Sequence, residues 1–135
     1  MNLDYLKEGY IFPVLKKEPI TRVQLVKYAG ASGDFNPLHT VEEVGEKAGS
    51  GIIAHGMLIM GMAGQAVTSW IPRKYVSKLK FRFQKMTFPE EKIEISGKVI
   101  SIGSDNKMVC EVVAKNSDGE IKGSGIFEAI LPPNN

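Results

Sequence analysis

The stretch GMLIMGMAGQAVTSW, residues 56–70, decides the fold of this 135-residue chain. It follows His55 and ends shortly before Pro72, and its residues 57–67 are apolar or glycine with one interruption. A helix that is apolar around its whole circumference is buried on every side. Because the apolar run is shorter than the ~18 residues of a membrane span, the sequence predicts a long central helix inside a domain.

Two glycines, Gly61 and Gly64, lie inside this predicted helix. Each costs about 1 kcal/mol relative to alanine in a helix interior, so a packing gain must offset both. We expect another backbone, such as a tightly curled sheet, to approach the helix at these positions. The methionines of the same stretch are interpreted as core residues, since flexible thioethers fill irregular gaps.

Two shorter helices are predicted before the long one. In a capping box, a Thr side chain accepts from the third helical N–H, and the third side chain reaches back to the cap. This spacing occurs at Thr21 with Gln24 and at Thr40 with Glu43. The predicted helices therefore cover about residues 22–29 and 41–48.

Strand patterns dominate after Pro72. Leu79, Phe81 and Phe83 alternate with charged or polar residues, a period of two that is typical of a half-buried strand. Further β-rich runs are separated by turn-forming segments at residues 103–106 and 116–119; these runs are Ile93–Ile102, Met108–Lys115 and Ile121–Leu131. With one more strand from the Gly9–Leu15 region, the sequence predicts an α+β fold with about five antiparallel strands.

Composition narrows the classes of function. The net charge is +2, from 17 basic and 15 acidic residues without a long run of one sign, so nucleic acid is not an expected partner. The single cysteine, Cys110, excludes an internal disulfide and a cysteine-based metal site. The charged start lacks the apolar run of a secretory signal. We expect one cytoplasmic domain over residues 1–135, without a membrane partner.

The loop GDFNPLH, residues 33–39, places an acid and an imidazole five residues apart. Pro37 fixes its own φ and favours extended geometry at Asn36, so the loop is stiff. A stiff loop can hold Asp34 and His39 in a fixed relation, as preorganised catalysis requires. The alternative is purely local, because Asp and Asn side chains commonly close Asx-turns.

Gly56 stands at the start of the long helix, directly after His55. The first N–H groups of a helix have no partner within it and lie at the positive end of its dipole. Glycine allows a ligand to approach such an amide closely, so Gly56 is a candidate oxyanion donor for an enolate. His55 is interpreted as a structural residue that fixes the helix start rather than as a catalytic group.

The sequence resembles a known family in these segments. The tract YAGASGDFNPLHTVEEVGEKAGSGIIAHGMLIMGMAG, residues 28–64, is similar to the signature of MaoC-like R-specific enoyl-CoA hydratases and (3R)-hydroxyacyl thioester dehydratases. Their motif is an aromatic residue, a small-residue stretch and then G-D-x-N-P-[LIV]-H. The segment LKFRFQKMTFPEE, residues 79–91, is also similar. Among the branches, residues 28–70 look most like the short dehydratase subunits of actinobacterial fatty acid elongation.

The resemblance implies a hotdog fold, in which a curved antiparallel sheet wraps a long central helix, and a hydro-lyase activity without a cofactor or metal. By position, it implies that Asp34 and His39 are the catalytic pair and that Gly56 supplies the oxyanion hole. Asn36 and Pro37 would support the loop. For dehydration, we expect His39 to take the C2 proton and Asp34 to help the C3 hydroxyl leave.

Partners follow from the same resemblance. The substrate would be an acyl-CoA or an acyl carrier protein thioester, and the chain would form a homodimer or a heterodimer with a second hotdog subunit. A basic group beside the first long strand could receive phosphates or a carrier protein; it comprises Arg73, Lys74, Lys80 and Arg82. The alternative is an ordinary solvated strand face. Two other functions stay open, a non-catalytic acyl-thioester-binding subunit and a hotdog thioesterase.

Overall fold

The computed structural model describes residues 3–133, so the two residues at each end of the predicted 1–135 domain lie outside the described residues. It contains three α-helices, which are α1 (Arg22–Ser32), α2 (Glu42–Ala48) and α3 (Gly56–Trp70). Its strands are β1 (Leu15–Lys16), β2 (Val76–Phe83), β3 (Glu94–Ile102), β4 (Lys107–Lys115) and β5 (Ile121–Ile130). These strands form one antiparallel sheet in the order β1-β3-β4-β5-β2, which confirms the predicted α+β arrangement.

The first strand is much shorter than predicted. Only Leu15–Lys16 forms β1, although the preceding segment already runs beside β3, where the Phe12 N–H donates to the Gly97 carbonyl oxygen at 3.0 Å. Pro13 has no N–H to donate, so the ladder is interrupted there. The predicted strand from the Gly9–Leu15 region is therefore present only as β1 at its end and as an isolated bridge from Ile11 to Lys98.

The helix before the loop begins as predicted and ends later. Thr21 Oγ1 accepts from the Gln24 N–H at 3.0 Å, and Gln24 Oε1 accepts from the Thr21 N–H at 3.4 Å, which confirms the first capping box. Helix α1 continues to Ser32 and stops at Gly33, whose φ of 77° is left-handed. Glycine adopts this conformation without strain because it has no Cβ, so Gly33 is suited to end the helix.

The second capping box does not form. Thr40 closes the 3₁₀ turn Pro37–His39, and its N–H donates to the Pro37 carbonyl oxygen at 3.2 Å. This gives Thr40 a φ of −137° and a ψ of −21°, outside the extended geometry of a helix cap. Val41 precedes α2 instead, without a side-chain cap. The prediction of a Thr40 box was wrong because the turn immediately before it uses that backbone.

The long helix has the predicted bounds but not the predicted burial. One face packs on the sheet through apolar side chains, which include Ile59, Met62, Ala63, Ala66, Val67 and Trp70. The opposite face is open, since Met57 is 58% exposed and Gly61 is also exposed. A Cβ added at Gly61 or Gly64 would meet no atom of residues 3–133 within 4 Å. The expected backbone approach at these two glycines is therefore wrong: the sheet covers the other side of the helix.

The close approaches occur in the sheet. A Cβ on Gly97 in β3 would touch the ring of Trp70 at the end of α3, and a Cβ on Gly125 in β5 would collide with the Lys80 carbonyl in β2. Trp70 also stacks on Phe12, with ring centroids 4.8 Å apart. Glycine is thus required where the helix end and the edge strand meet the sheet. No helix within residues 3–133 is long and apolar enough to cross a membrane.

Candidate active site

The loop GDFNPLH folds into an Asx-turn followed by a 3₁₀ turn. Asn36 Oδ1 accepts from the Leu38 N–H at 3.0 Å, and the His39 N–H donates to the Asn36 carbonyl oxygen at 3.0 Å. Pro37 occupies the first position of the turn, where a missing N–H costs nothing. Hydrogen bonds within the loop therefore fix the backbone position of His39.

The two carboxylate oxygens of Asp34 contact different groups. Oδ1 accepts from the Asn36 N–H at 3.2 Å, which is the local Asx-turn that the sequence left open as an alternative. Oδ2 lies 3.7 Å from His39 Nε2, with 52% of the Asp34 side chain exposed. The turn and the Asp–His pairing thus coexist, because the turn aims the second oxygen at the imidazole.

The hydrogen bonds of His39 define its tautomer. Its Nδ1 lies 2.7 Å from the Ile53 carbonyl oxygen, which can only accept, so Nδ1 carries the proton. Nε2 then presents a lone pair towards Asp34. The Ile53 N–H also donates to the Leu38 carbonyl oxygen at 3.0 Å, which ties the loop to the segment before α3. His39 is therefore arranged to accept a proton at Nε2.

His55 lies behind the pair. It is 1% exposed, its Nε2 lies 3.1 Å from the Asp34 carbonyl oxygen, and its ring stacks on His39 with centroids 3.8 Å apart and planes 24° apart. Tyr28 packs edge-on against the other side, at 4.8 Å. Burial lowers the pKa of His55 below 6.5, and the nearby His39 acts in the same direction, against the hydrogen bond to Asp34.

Donor atoms of Asp34, His39 and His55 all lie within 4.8 Å of one another, a separation that a metal ion could bridge. An imidazole coordinates a metal with a lone pair in the plane of its ring. The two rings are stacked, so their in-plane lone pairs lie in two separate, nearly parallel planes, which disfavours convergence on one ion. This geometry suits proton transfer better than metal coordination.

A cavity of about 330 Å³ opens beside His39 and the start of α3. Its wall includes both His39 and Gly56, so two of the predicted site residues share one cavity, whereas Asp34 does not line it and contacts His39 instead. Gly56 is the first residue of α3, and within residues 3–133 its N–H makes no hydrogen bond. A Cβ at this position would lie 3.3 Å from the Phe83 ring, so glycine keeps the amide accessible.

Comparison with known proteins identifies the family. The sequence model of the family described as "MaoC like domain" matches residues 12–121, most of the chain. The chain belongs to the MaoC-like domain family. This confirms the resemblance drawn from the loop and from the start of the long helix.

The individual proteins compared with this chain are 31% identical to it or less. A fatty acid synthase subunit beta from Gibberella zeae is 29% identical over 113 residues, which is 81% of this chain, but the chain spans 6% of the length of that relative. A solved structure named MaoC-like dehydratase has a TM-score of 0.87 at 31% identity, covering 96% of this chain and 42% of that one. The R-hydratase PhaJ1 from Pseudomonas aeruginosa has a TM-score of 0.85 at 21% identity, covering 97% and 85%. These likenesses confirm the hotdog fold.

The predicted basic group of this MaoC-like domain is divided in the structure. Lys80 and Arg82 in β2 line a groove of about 630 Å³, together with Met60 of α3. Arg73 and Lys74 lie in the 3₁₀ turn before β2 and do not line that groove. A role in phosphate or carrier binding stays a prediction for all four residues.

Sequence reasoning missed part of the cavity wall, which Lys122 and its neighbours form. Lys122 at the start of β5 is 1% exposed, and its Nζ contacts the Met86 carbonyl oxygen at 2.8 Å, Glu120 at 2.6 Å and Glu91 at 3.0 Å. Met86, Thr87 and Lys122 all line the cavity of the MaoC-like domain. The signal was weak, because a lysine in an alternating strand is normally solvated.

Proposed function

We propose that this MaoC-like domain is a hydro-lyase that reversibly adds water to trans-2-enoyl thioesters, giving (3R)-3-hydroxyacyl thioesters. The observation that carries the proposal is the 3.7 Å approach of Asp34 Oδ2 to His39 Nε2 beside a cavity that also contains Gly56. Membership of the MaoC-like family supports it. The named R-hydratase and fatty acid synthase relatives support the same class of substrate.

Water would bind between the two catalytic groups. Asp34 Oδ2 and His39 Nε2 both accept hydrogen bonds, so one water molecule can donate a hydrogen to each. Its oxygen lone pair is then free to form a bond to C3 of the enoyl thioester. One proton of that water passes to His39 Nε2 and from there to C2, while the other stays on the new C3 hydroxyl, which balances the addition.

Dehydration is the reverse path. His39 Nε2 takes the C2 proton and passes it to the C3 hydroxyl, the bond from C3 to that oxygen breaks, and Asp34 accepts a hydrogen bond from the departing water and so helps it leave. Removal of the C2 proton places negative charge on the thioester oxygen, and the Gly56 N–H would stabilise it as an oxyanion donor. General acid–base help and one oxyanion donor each contribute about two to four powers of ten in rate.

We also propose that the active unit contains a second hotdog chain, a copy of this one or a related subunit. The outer edge of β2 has no strand partner within residues 3–133, and a strand edge is a ready template for pairing. Half of the Asp34 side chain is exposed, so a cover over the loop would exclude bulk water from the pair. An acyl-CoA or acyl carrier protein would supply the thioester.

The test is to follow the ultraviolet absorbance of crotonyl-CoA and longer enoyl-CoAs with the purified protein. We expect loss of the enoyl band and an R-configured 3-hydroxyacyl product. Asp34→Asn and His39→Ala are each expected to lower kcat by at least about a hundredfold while the circular dichroism spectrum is kept. Full activity in both variants would refute the assignment, and release of free thiol would indicate a thioesterase instead. Activity that appears only after a second hotdog subunit is added would establish a heteromeric enzyme.

A further inference from the structure

His55 contacts both members of the proposed catalytic pair from a different segment of the chain. Its Nε2–H donates to the Asp34 carbonyl oxygen at 3.1 Å, and its ring lies flat on that of His39 at 3.8 Å. The side chain is 1% exposed, so water does not compete for these contacts. One buried residue therefore touches the backbone of the acid and the ring of the base.

The contacts also define the protonation state of His55. Its partner at Nε2 is a carbonyl oxygen, so Nε2 carries the proton and Nδ1 is left as an acceptor. Nδ1 is buried and has no hydrogen-bond partner within residues 3–133. A second proton there would find no acceptor, and its charge would lie between His39 and the Tyr28 ring. His55 thus stays neutral, and it does not line the cavity.

We propose that His55 is a positioning residue that fixes Asp34 and His39 relative to the start of α3. The inference rests on the proposed function, since the positioning matters for rate only if the pair acts on a thioester. His55 directly precedes Gly56, so the hydrogen bond to Asp34 links the catalytic loop to the residue next to the oxyanion amide. Misplacement of a catalytic group by about 1 Å can cost about a hundredfold in rate.

The test compares His55→Gln with His55→Asn. A Gln amide nitrogen reaches about as far as His Nε2, whereas an Asn nitrogen reaches only as far as Nδ1, so Gln alone keeps the hydrogen bond to Asp34. We expect kcat with crotonyl-CoA to fall by about tenfold to a hundredfold in the Asn variant and by less than about fivefold in the Gln variant. KM should change little in both, because His55 does not touch the cavity.

A second readout does not depend on activity. Hydrogen exchange at the Asn36 and Leu38 amides reports the order of the loop. We expect faster exchange in His55→Asn than in His55→Gln. If the Asn variant does not fold by circular dichroism, His55→Phe takes its place, since it keeps a ring against His39 but has no donor.

The outcomes separate the two proposals. Equal kcat and equal exchange in the Gln variant and in the variant that lacks the hydrogen bond to Asp34 would overturn the positioning role, and so would a loss confined to KM. If the wild-type protein turns over no enoyl thioester, the proposed function is overturned, while the exchange comparison still decides whether His55 fixes the loop. A larger loss of kcat and faster exchange in the variant that lacks the hydrogen bond to Asp34 support the inference.

Discussion

A methyl group added at Gly56 would lie 3.3 Å from the Phe83 ring, on the side of the helix start that faces the cavity. Gly56→Ala is therefore expected to narrow the approach to the amide and lower kcat/KM for crotonyl-CoA by about tenfold or more. The matched control is Gly61→Ala in the same helix, where the added methyl meets no atom. Steady-state kinetics check both variants, and equal kcat/KM for the two would contradict the oxyanion role of Gly56.

Sequence reasoning could propose Asp34, His39 and Gly56 as candidate site residues because each belongs to a local pattern. The seven-residue loop brings Asp34 and His39 together, and the start of α3 places Gly56. Lys122 could not be found this way. Its contact with Met86 joins residues 36 positions apart, and only the pairing of β5 with β2 brings them together.

The contacts of Lys122 also show why its role could not be predicted from the local sequence. Lys122 lies between Glu91 and Glu120, and burial opposes its charge. Hydrogen bonds from Nζ to these two carboxylates outweigh burial and raise the pKa of Lys122. Because every donor of the ammonium group has a partner, the residue holds the cavity wall in place rather than binding substrate directly.

At the scale of elements, the bounds of α3 were predictable and its environment was not. An apolar composition identifies a helix that can be buried, but the sheet covers only the face with Ile59 and Met62. Gly61 and Gly64 lie towards the open side, where an added Cβ has room. Small residues reduce side-chain volume on any face, so their presence alone does not show which face is packed.

The close packing of α3 on the sheet predicts that alanine lowers the free energy of unfolding at Gly97 and raises it at Gly61. In Gly97→Ala the new methyl would overlap the Trp70 ring, and Trp70 Nε1 is held by the Pro13 carbonyl oxygen at 2.7 Å. We expect a loss of about 1–3 kcal/mol in the free energy of unfolding, measured by urea denaturation. The control Gly61→Ala should instead gain about 0.5–1 kcal/mol, as expected for an open helix interior. A stable Gly97→Ala protein would show that Trp70 can move aside.

At the scale of the whole molecule, the β3-β4-β5 part of the sheet follows from antiparallel strands joined by short turns, whereas β1 lies beside β3 and β2 beside β5, which are pairings of strands that are not consecutive in the chain. The turns at Asn106 and Gly119 have left-handed φ values of 63° and 83°, which Asn and Gly tolerate best. The predictions from sequence were least accurate at Pro13 and Thr40. Pro13 has no N–H to continue the first strand, and the Thr40 N–H already donates to the Pro37 carbonyl oxygen.

Two ionisable groups, the buried His55 and the partly buried Glu91, make the stability of the whole domain depend on pH. Burial lowers the pKa of His55 below its ordinary 6.5, so the folded state keeps the ring neutral while the unfolded chain takes up a proton near that value. Burial alone would raise the pKa of Glu91, but hydrogen bonds from Asn116, the Phe88 N–H and Lys122 hold it below 4.5. In both cases the unfolded state binds the proton first as the pH falls.

The free energy of unfolding should therefore decrease in two steps on acidification. The first begins below about pH 6.5 and is due to His55, and the second begins below about pH 4.5, where Glu91 contributes together with other paired carboxylates. Urea denaturation at a series of pH values measures both. His55→Phe should flatten the first step and keep the second, whereas Glu91→Gln should keep the first and reduce the second. Unchanged or rising stability between about pH 7 and 5 in the wild-type protein would contradict a neutral, buried His55, because its folded state could then carry the added proton without cost.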